Sequence, residues 1–249
     1  MERKHHSGWL ERTELLIGSE ALNVLKNANI LIVGLGGIGS FAGEFLVRAG
    51  VGKLTLIDGD VVDPTNKNRQ LQALNSTVGQ SKVTLLKNRY FDINPEIEIS
   101  GYEQFMMPED MDELLHTNRF DYILDCIDSV QPKVTLLKNA RKHKQKIISA
   151  MGAGGKLDPS KIRISDISLT KECKFAQSVK KALKKDGIRK GILAVYSEEI
   201  QPKSALRLTE GALFKKSFYG TISYMPALFG LIMASETIRR MCGLKKPMC

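Results

Sequence analysis

Short apolar runs alternate with longer amphipathic segments along most of this chain. Asn29–Val33, Lys53–Asp58 and Tyr122–Ile127 have the length and apolar content of strands that are buried on both faces of a parallel sheet. Further strands are predicted at Ile97–Gly101, Lys146–Ala150, Ile162–Ile167 and Ile192–Tyr196, and helices at Ser40–Ala49, Gly79–Tyr90, Pro108–Leu115, Gln131–His143, around 174–190 and at Pro226–Met241. This alternation predicts an α/β fold with a Rossmann-like, doubly wound and mostly parallel sheet.

The length and composition predict one domain rather than several. A chain of 249 residues, 43% hydrophobic and 26% charged, can bury a substantial core and is typical of a globular protein. We expect a single domain over 1–249, with a nucleotide-binding core at 1–160 and a substrate-side extension with a C-terminal helix at 161–249. Ser197–Lys216 has poor periodicity and is predicted to be a mobile loop.

Two features bear on membranes and on the cellular compartment. Ser217–Ser235 is uncharged for 19 residues, but only Met225–Ala234 is densely apolar, and a membrane span needs about 20 predominantly apolar residues. We therefore interpret Pro226–Met241 as a core helix with proline in its first turn, and expect no membrane partner. Met1–His6 is charged and does not open a secretory signal, and the four cysteines are isolated. Both features favour the cytoplasm.

A glycine-rich turn follows the first predicted strand. Gly34 allows a tight turn, Gly36 lets the backbone approach a phosphate, and Gly39 allows close helix–strand packing. Gly37 lies in the same turn, and the free N–H groups of the next helix would face an anion. Asp58 ends the next strand, 19 residues after Gly39, where an acid binds ribose hydroxyls. This pattern predicts a nucleotide site but does not choose between NAD, FAD and ATP.

The residues after Asp58 favour ATP. Asp60 adds a second acid at the same strand end, and a polar stretch and a lysine follow at Asn68, Arg69, Gln70 and Lys82. Arginine and lysine neutralise phosphates, and a carboxylate can hold magnesium, whereas nicotinamide has little use for such a set. A solvated loop followed by a charged helix is the alternative explanation of these residues.

Taken together, these motifs resemble those of the ubiquitin-activating-enzyme-like adenylyltransferase superfamily. Within it the chain is similar to the tRNA threonylcarbamoyladenosine dehydratases, from about residue 9 to about 242. The shared stretches are Arg12 to Gly18, the glycine turn, 58–60, 66–70, 79–82, 125–133, 150–159, 195–198 and 220–226. Many matched stretches in the right order are more specific than any one pattern.

The resemblance implies an enzyme that uses ATP to adenylate the carboxylate of threonylcarbamoyladenosine in tRNA, after which ring closure completes a dehydration. It implies catalytic roles for Arg12, Arg69, Lys82 and Asp128, with Mg²⁺ bound through Asp128. It implies nucleotide binding by Gly34, Gly36, Gly37, Gly39, Asp58, Asp60, Asn68, Arg69, Gln70, Lys82, Asp128 and Ser129. Arg12 would reach the ATP of a second subunit, which implies a homodimer.

Other functions share part of this pattern. An adenylyltransferase that activates the C-terminus of a ubiquitin-like sulfur carrier shares the ATP site, and a NAD-dependent oxidoreductase shares only the glycine turn and Asp58. A non-catalytic nucleotide-sensing or tRNA-binding module is a further alternative. Many sulfur-carrier activators hold zinc with Cys-x-x-Cys pairs, which this sequence lacks, so we expect no structural zinc. Cys173 is either an incidental loop cysteine or a thiolate favoured by Lys171 and Lys174.

The charge distribution favours a polyanionic partner. The net charge is +10, and 171–190 contains eight Lys or Arg against two acids. Lys180, Lys181, Lys184 and Lys185 have the spacing of one helical face, for which we expect tRNA contact. A second basic cluster at 138–146 could equally be a solvated helix face. The resemblance also leaves room for a sulfur-relay or cysteine desulfurase-type partner.

Overall fold

The computed structural model describes residues 8–208 and 217–244 of the protein. Its strands are β1 Asn29–Val33, β2 Lys53–Ile57, β3 Glu98–Tyr102, β4 Tyr122–Asp125, β5 Ile147–Ala150, β6 Ile162–Asp166, β7 Leu193–Ser197, β8 Leu206–Leu208 and β9 Ser217–Tyr219. Its helices are α1 Glu11–Ile17, α2 Ser19–Lys26, α3 Gly39–Arg48, α4 Lys82–Ile93, α5 Pro108–Thr117, α6 Val130–Lys142, α7 Lys174–Lys185 and α8 Tyr224–Met241.

Seven strands form the central sheet, in the order β3-β2-β1-β4-β5-β7-β6. All neighbours in it are parallel except β6, which runs antiparallel to β7 at one edge. The predicted Rossmann-like, mostly parallel sheet is therefore confirmed. The strand order reverses between β1 and β4, and ligands of such folds bind at the carboxyl ends of the strands beside this switch point.

Helix α8 confirms the predicted core helix. It packs against α3, and Met225, Phe229 and Met233 are fully buried on its inner face. A Cβ atom at Gly230 would lie 2.3 Å from the carbonyl oxygen of Ile38, so only glycine permits this close helix contact. Pro226 lies in the first turn, where its missing N–H costs no helical hydrogen bond.

Across residues 8–208 and 217–244, no helix combines the length and apolarity that a membrane span requires.

Two predicted boundaries and one predicted loop are corrected by the structure. Helix α4 begins at Lys82 rather than Gly79, because the Ser81 hydroxyl accepts a hydrogen bond from the Thr84 N–H at 3.2 Å and caps the helix. Strand β4 ends at Asp125, two residues before the predicted end. Within the predicted loop Ser197–Lys216, Leu206–Leu208 forms β8 and pairs antiparallel with β9. The rest of that loop, 209–216, lies outside the described residues.

A buried ion pair lies directly beneath the switch point. The Nζ of Lys133 on α6 is 2.6 Å from Oδ2 of Asp125 at the end of β4, and both side chains have no exposed surface. The hydroxyl of Ser149 on β5 donates to the same carboxylate oxygen at 2.6 Å. These bonds join two neighbouring strands to the helix that follows the first of them.

Replacing one member of this pair should destabilise the fold strongly. Lys133→Met leaves the Asp125 carboxylate buried without its cation, and we expect the free energy of unfolding to fall by about 3–5 kcal/mol. The control is Lys138→Met on the same helix, because Lys138 makes only a half-exposed ion pair with Asp186 and should cost at most about 1 kcal/mol. Urea unfolding measures both. Equal losses in the two variants would contradict a dominant role for the buried pair.

Candidate active site

The glycine turn connects β1 to α3 at the switch point. Gly34 has a φ of +90°, which disfavours other residues, and its N–H donates to the carbonyl of Ile57 at 2.9 Å. A Cβ atom at Gly39 would lie only 1.9 Å from the carbonyl oxygen of Gly34. Both glycines are therefore required by the chain's own packing, as the sequence predicted for a tight turn and close helix–strand contact.

Gly36 differs from these two glycines. A Cβ atom at Gly36 would meet only the Nε2 of Gln70, at 3.7 Å, which is an ordinary contact distance. Gly36 also has no positive φ. Neither packing nor backbone conformation in the described structure therefore explains a glycine here. The space beside Gly36 is open except for the buried amide side chain of Gln70.

Asp58 fastens the glycine turn to the end of β2. Its Oδ2 accepts a hydrogen bond from the N–H of Leu35 at 2.6 Å, and its Oδ1 accepts one from the N–H of Asp60 at 2.8 Å. Burial raises the pKa of Asp58, although Lys82 and these two hydrogen bonds favour the ionised form. The carboxylate thus holds the turn in place. The ribose contact predicted for Asp58 stays a prediction.

Lys82 places a positive charge beside the acids that follow β2; the site formed by the glycine turn, Asp58, Asp60, Arg69 and Lys82 is called the crevice below. Its side chain is almost fully buried at the start of α4, and its Nζ lies 2.8 Å from Oδ2 of Asp60, which is half-exposed. The backbone N–H of Lys82 also donates to the Asp60 carbonyl at 3.2 Å. A buried lysine with one partly solvated carboxylate partner keeps an unused capacity to bind anions.

Arg69 provides a second cation near the glycine turn. Its Nη1 donates to the Thr65 carbonyl at 3.0 Å and to Oδ1 of Asn68 at 2.9 Å. Its backbone lies against Gly37, where a Cβ atom would be 3.1 Å from the Arg69 carbonyl oxygen. Burial lowers the pKa of Arg69, and the charge of Asp128 opposes that effect. Of the predicted phosphate-binding residues, Arg69 therefore lies directly beside the glycine turn, and Asn68 is bonded to Arg69.

Asp128 and Ser129 lie on the connection between β4 and α6. The Ser129 hydroxyl donates to Oδ1 of Asp128 at 3.3 Å, and the Asp128 charge acts on the guanidinium of Arg69. Asp128 follows the buried Asp125 by three residues, so the ion pair with Lys133 anchors the segment that carries it.

Arg12 does not join this site within its own chain. It is exposed on α1, and the nearby Leu10 packs against Gly50, just after the end of α3. Helix α3 runs from the glycine turn, at the carboxyl ends of the strands, to the opposite end of the sheet. Since Leu10 packs beyond the end of α3, the segment with Arg12 also lies at that opposite end. Within residues 8–208 and 217–244, no hydrogen bond or ion pair joins Arg12 to the predicted nucleotide-binding residues.

Three of the four predicted nucleic-acid lysines are exposed on α7, and Lys180 is the exception. Lys180 is half-buried and its Nζ donates to the Thr170 carbonyl at 2.9 Å. Lys181, Lys184 and Lys185 are exposed, as is Lys174 at the first position of α7. The accessible basic surface of α7, called the α7 lysine face below, consists of Lys174, Lys181, Lys184 and Lys185.

The structure also revises the interpretation of Cys173. Cys173 is 1% exposed, and its Sγ accepts the N–H of Ala176 at 3.5 Å at the start of α7. It is therefore a buried capping residue, neither an incidental loop cysteine nor a thiolate open to a substrate. Cys126 lies in the hydrophobic core just after β4, and burial raises the pKa of its thiol.

Sequence reasoning missed the residues that reach the site from the C-terminal part. The Thr221 carbonyl accepts a hydrogen bond from Nδ2 of Asn68 at 2.9 Å, across 153 residues of sequence. Pro226 lies beside Gly37, with 3.0 Å between its Cβ and a Cβ placed on that glycine. No local pattern signals such contacts, because they arise from the docking of α8 against α3.

Fold and site together define a Rossmann-like α/β protein with a glycine turn at the switch point, a half-buried arginine beside it and a buried lysine at the start of α4. The chain belongs to the ThiF family, whose family model matches residues 10–249. It is 41% identical over 234 residues to the tRNA threonylcarbamoyladenosine dehydratase of Bacillus subtilis, covering 91% of this chain and 92% of that protein. The crystal structure of Escherichia coli tRNA N6-threonylcarbamoyladenosine dehydratase, TcdA, in complex with ATP superposes with a TM-score of 0.86 at 32% identity, covering 95% of this chain and 96% of that one. The Escherichia coli molybdopterin-synthase adenylyltransferase is also 41% identical, but over 113 residues and 45% of this chain.

The two kinds of glycine should respond differently to alanine. Gly36→Ala should leave stability within about 0.5 kcal/mol, because the added methyl group meets only Gln70. Gly39→Ala forces a clash with Gly34 and should cost about 1–3 kcal/mol. If a nucleotide occupies the open space, Gly36→Ala weakens ATP binding about tenfold, or ~1.4 kcal/mol. Urea unfolding and calorimetric titration with ATP measure the two effects. ATP affinity unchanged in Gly36→Ala would rule out close approach of the ligand at this residue.

Proposed function

We propose that this protein is an ATP-dependent tRNA threonylcarbamoyladenosine dehydratase. The observation that supports it most directly is the crevice at the switch point: a Cβ atom at Gly36 would meet only Gln70, Arg69 lies against the neighbouring Gly37, and Lys82 is buried beside Asp60. Relatives that carry this dehydratase name match the chain over nearly its whole length. The reaction and the crevice agree in chemistry, because a triphosphate needs both close backbone approach and fixed positive charge.

In this proposal the residues of the crevice position ATP against the substrate carboxylate. The glycine turn seats the nucleotide, Asp58 holds the ribose, and Asn68, Arg69 and Lys82 neutralise the phosphates. The carboxylate oxygen of threonylcarbamoyladenosine attacks the α-phosphorus, and pyrophosphate leaves with the electron pair of the broken P–O bond. An internal nucleophile of the modification then attacks the activated carboxyl carbon, loses its proton and expels AMP. The net change in the nucleoside is the loss of one water.

This reaction requires no protein nucleophile. The attacking group of the second step already belongs to the substrate, so its effective concentration is high. The protein's contribution is orientation and stabilisation of negative charge by Lys82 and Arg69. The burial of Cys173 agrees with this, because no thiol at that position is accessible to an acyl group.

Asp128 is the residue that would hold Mg²⁺. Among the described residues, no group of three or more His, Cys, Asp or Glu side chains is arranged as a metal site. Magnesium in ATP enzymes is commonly held by one or two carboxylates together with phosphate oxygens and waters, and one aspartate beside Arg69 fits that pattern. When bound, the ion would neutralise charge on the departing pyrophosphate.

The alternative is an adenylyltransferase that activates the C-terminus of a ubiquitin-like sulfur carrier. It would use the same crevice, but the matches to the molybdopterin-synthase adenylyltransferases of Escherichia coli and Salmonella typhimurium cover only 45% and 56% of the chain. The match to the dehydratases includes the C-terminal part that reaches Asn68 and Gly37. The proposed dehydration transfers no sulfur, so a sulfur-relay or cysteine desulfurase-type partner would act outside the chemical step.

A homodimer would bring Arg12 to an ATP site. Leu15 and Leu16, on the same helix as Arg12, are 77% and 85% exposed, and Trp9 just before it is 51% exposed. Apolar side chains at such exposure favour burial against a partner. In a two-fold dimer the apolar surface of α1 would pack against the partner subunit, either on its α1 or on a neighbouring surface. This contact would bring Arg12 to the partner subunit's crevice.

The partner on the basic side would be cytoplasmic tRNA. The α7 lysine face has four exposed lysines, whereas Lys138 and Lys142 of the neighbouring α6 each have an acid partner at 2.7 Å. Unpaired cations gain most from phosphate, so α7 is the better candidate for tRNA contact.

The reaction itself is tested by analysing tRNA nucleosides by mass spectrometry after incubation with protein and ATP. The modified adenosine should lose the mass of one water, with one AMP and one pyrophosphate released per event. Asp128→Ala should lower this rate at least about 100-fold while thermal unfolding stays unchanged. Asp92→Ala, an exposed acid near the end of α4, is the control. Release of AMP only upon addition of a sulfur-carrier protein would support the alternative.

The role of Arg12 is tested by complementation. Arg12→Ala and Asp128→Ala are each expected to be inactive, and mixing them after verified subunit exchange should restore activity. The reason is that each heterodimer then holds one site with both residues intact. Heterodimers that remain inactive would exclude action of Arg12 across the dimer.

The α7 lysine face is tested by salt titration of tRNA binding. Replacing its four lysines with glutamine should reduce the slope of log affinity against log salt by about 3, because about four phosphate contacts are lost. ATP affinity should not change. The matched control, Lys138→Gln with Lys142→Gln, should change the slope less, because both lysines are already ion-paired. A slope that changes only in the control would move the tRNA contact to α6.

A further inference from the structure

The hairpin formed by β8 and β9 lies at the rim of the candidate active site. Gly220, directly after β9, accepts a hydrogen bond from the N–H of Gly155 at 2.8 Å. Thr221, the next residue, accepts the bond from Asn68 in the nucleotide crevice. The hairpin is thus fastened both to the segment after β5 and to a predicted phosphate-binding residue.

The two faces of this hairpin differ in their surroundings. Tyr219 belongs to the inner face, because Cβ atoms placed on Gly154 and Gly155 would each lie 3.0 Å from its side chain. Phe218, its neighbour in the strand, therefore points to the other face, since side chains alternate along a strand. Phe218 is 39% exposed.

Arg207 shares this outer face. It pairs directly with Phe218 in the antiparallel register, so the two side chains emerge side by side. Arg207 is exposed and makes no ion pair among the described residues. An aromatic ring and a free guanidinium thus stand next to each other on an exposed surface, a few residues from the crevice.

We propose that this outer face binds an unpaired nucleotide next to the modified adenosine, with Phe218 stacking on its base and Arg207 binding its phosphate. The inference rests on the proposed function, which requires a nucleoside of an RNA loop to enter the crevice. Proteins recognise single-stranded RNA loops by stacking unpaired bases on aromatic rings and neutralising the phosphates beside them.

The position of the hairpin agrees with this occupant. Tyr224, at the start of α8, donates its hydroxyl to the Leu157 carbonyl at 2.9 Å and holds the loop between hairpin and helix against the segment after β5. Two residues later, Pro226 contacts the glycine turn. The outer face is therefore linked to the crevice by a short, bonded stretch of chain. The protein's net charge of +10 favours RNA over a cationic or neutral peptide.

The test is binding of a labelled anticodon stem-loop to the full chain, measured by fluorescence anisotropy without ATP. Phe218→Ala should weaken binding about tenfold, because one stacked base is lost. Phe218→Trp should restore it. Arg207→Ala should reduce the salt slope by about 1, the contribution of one phosphate. A fully paired RNA duplex of the same length should show no dependence on Phe218.

Leu169→Ala is the matched control. Leu169 is an exposed apolar residue in the turn after β6. The N–H of Ile167 in this turn donates to the carbonyl of Ile192, just before the start of β7, so the turn lies at the end of the sheet opposite to the crevice. It should leave RNA binding unchanged. Stem-loop affinity that is equal in wild type and Phe218→Ala would overturn the proposal, as would tighter binding of an acidic peptide than of RNA.

This readout separates the inference from the proposed function. Phe218-dependent stem-loop binding by a protein that forms no dehydrated nucleoside would support the RNA-binding face and contradict the dehydratase. Dehydration with unchanged KM for tRNA in Phe218→Ala would support the dehydratase and contradict the face.

Discussion

The buried ion pair between Lys133 and Asp125 is the interaction on which the geometry of the crevice depends. Both charges are fully buried. The free-energy cost of desolvating two charges exceeds the electrostatic attraction of a poorly aligned pair. The pair is tolerable only because the distance is 2.6 Å and Ser149 supplies a further hydrogen bond. Such a pair has one good arrangement, so it sets the positions of β4, β5 and α6 relative to each other. The ion pair also fixes where Asp128 begins its approach to the crevice, because Asp128 lies only three residues after Asp125 at the end of β4.

The acidic and basic side chains of the crevice have different tasks, and this arrangement suits a polyanion. Asp58 uses its carboxylate on backbone N–H groups of the chain, and so it holds the glycine turn. Lys82 and Arg69 are bound on one side, by Asp60 and by Asn68 with the Thr65 carbonyl, and this fixes their orientation. A cation whose orientation is already fixed loses little side-chain entropy when it binds phosphate. The crevice is therefore pre-organised for negative charge rather than rearranged by it.

The C-terminal part of the chain completes the crevice instead of forming a separate body. Helix α8 packs on α3, the helix that begins at the glycine turn, and its first residues reach Gly37. The hydrogen bond from Asn68 to the Thr221 carbonyl links the crevice to the segment that directly follows the β8–β9 hairpin. A substrate held by the hairpin would consequently lie beside the nucleotide, which is the arrangement that transfer between two bound groups requires.

The sequence by itself determined the sheet, the glycine turn and the pair of acids at the end of β2, because strand periodicity, turn glycines and charge at strand ends are local properties. It assigned close packing to Gly39 and approach of a phosphate to Gly36, but which atoms surround each Cβ position was decided by the tertiary structure. It also placed Lys180 on an accessible face, where the folded chain uses it to bind the Thr170 carbonyl. The β8–β9 pairing, the burial of Cys173 and the distance of Arg12 from its own crevice were decided only by tertiary structure. Each depends on contacts between residues far apart in sequence, and such contacts form only when the helices dock on the sheet.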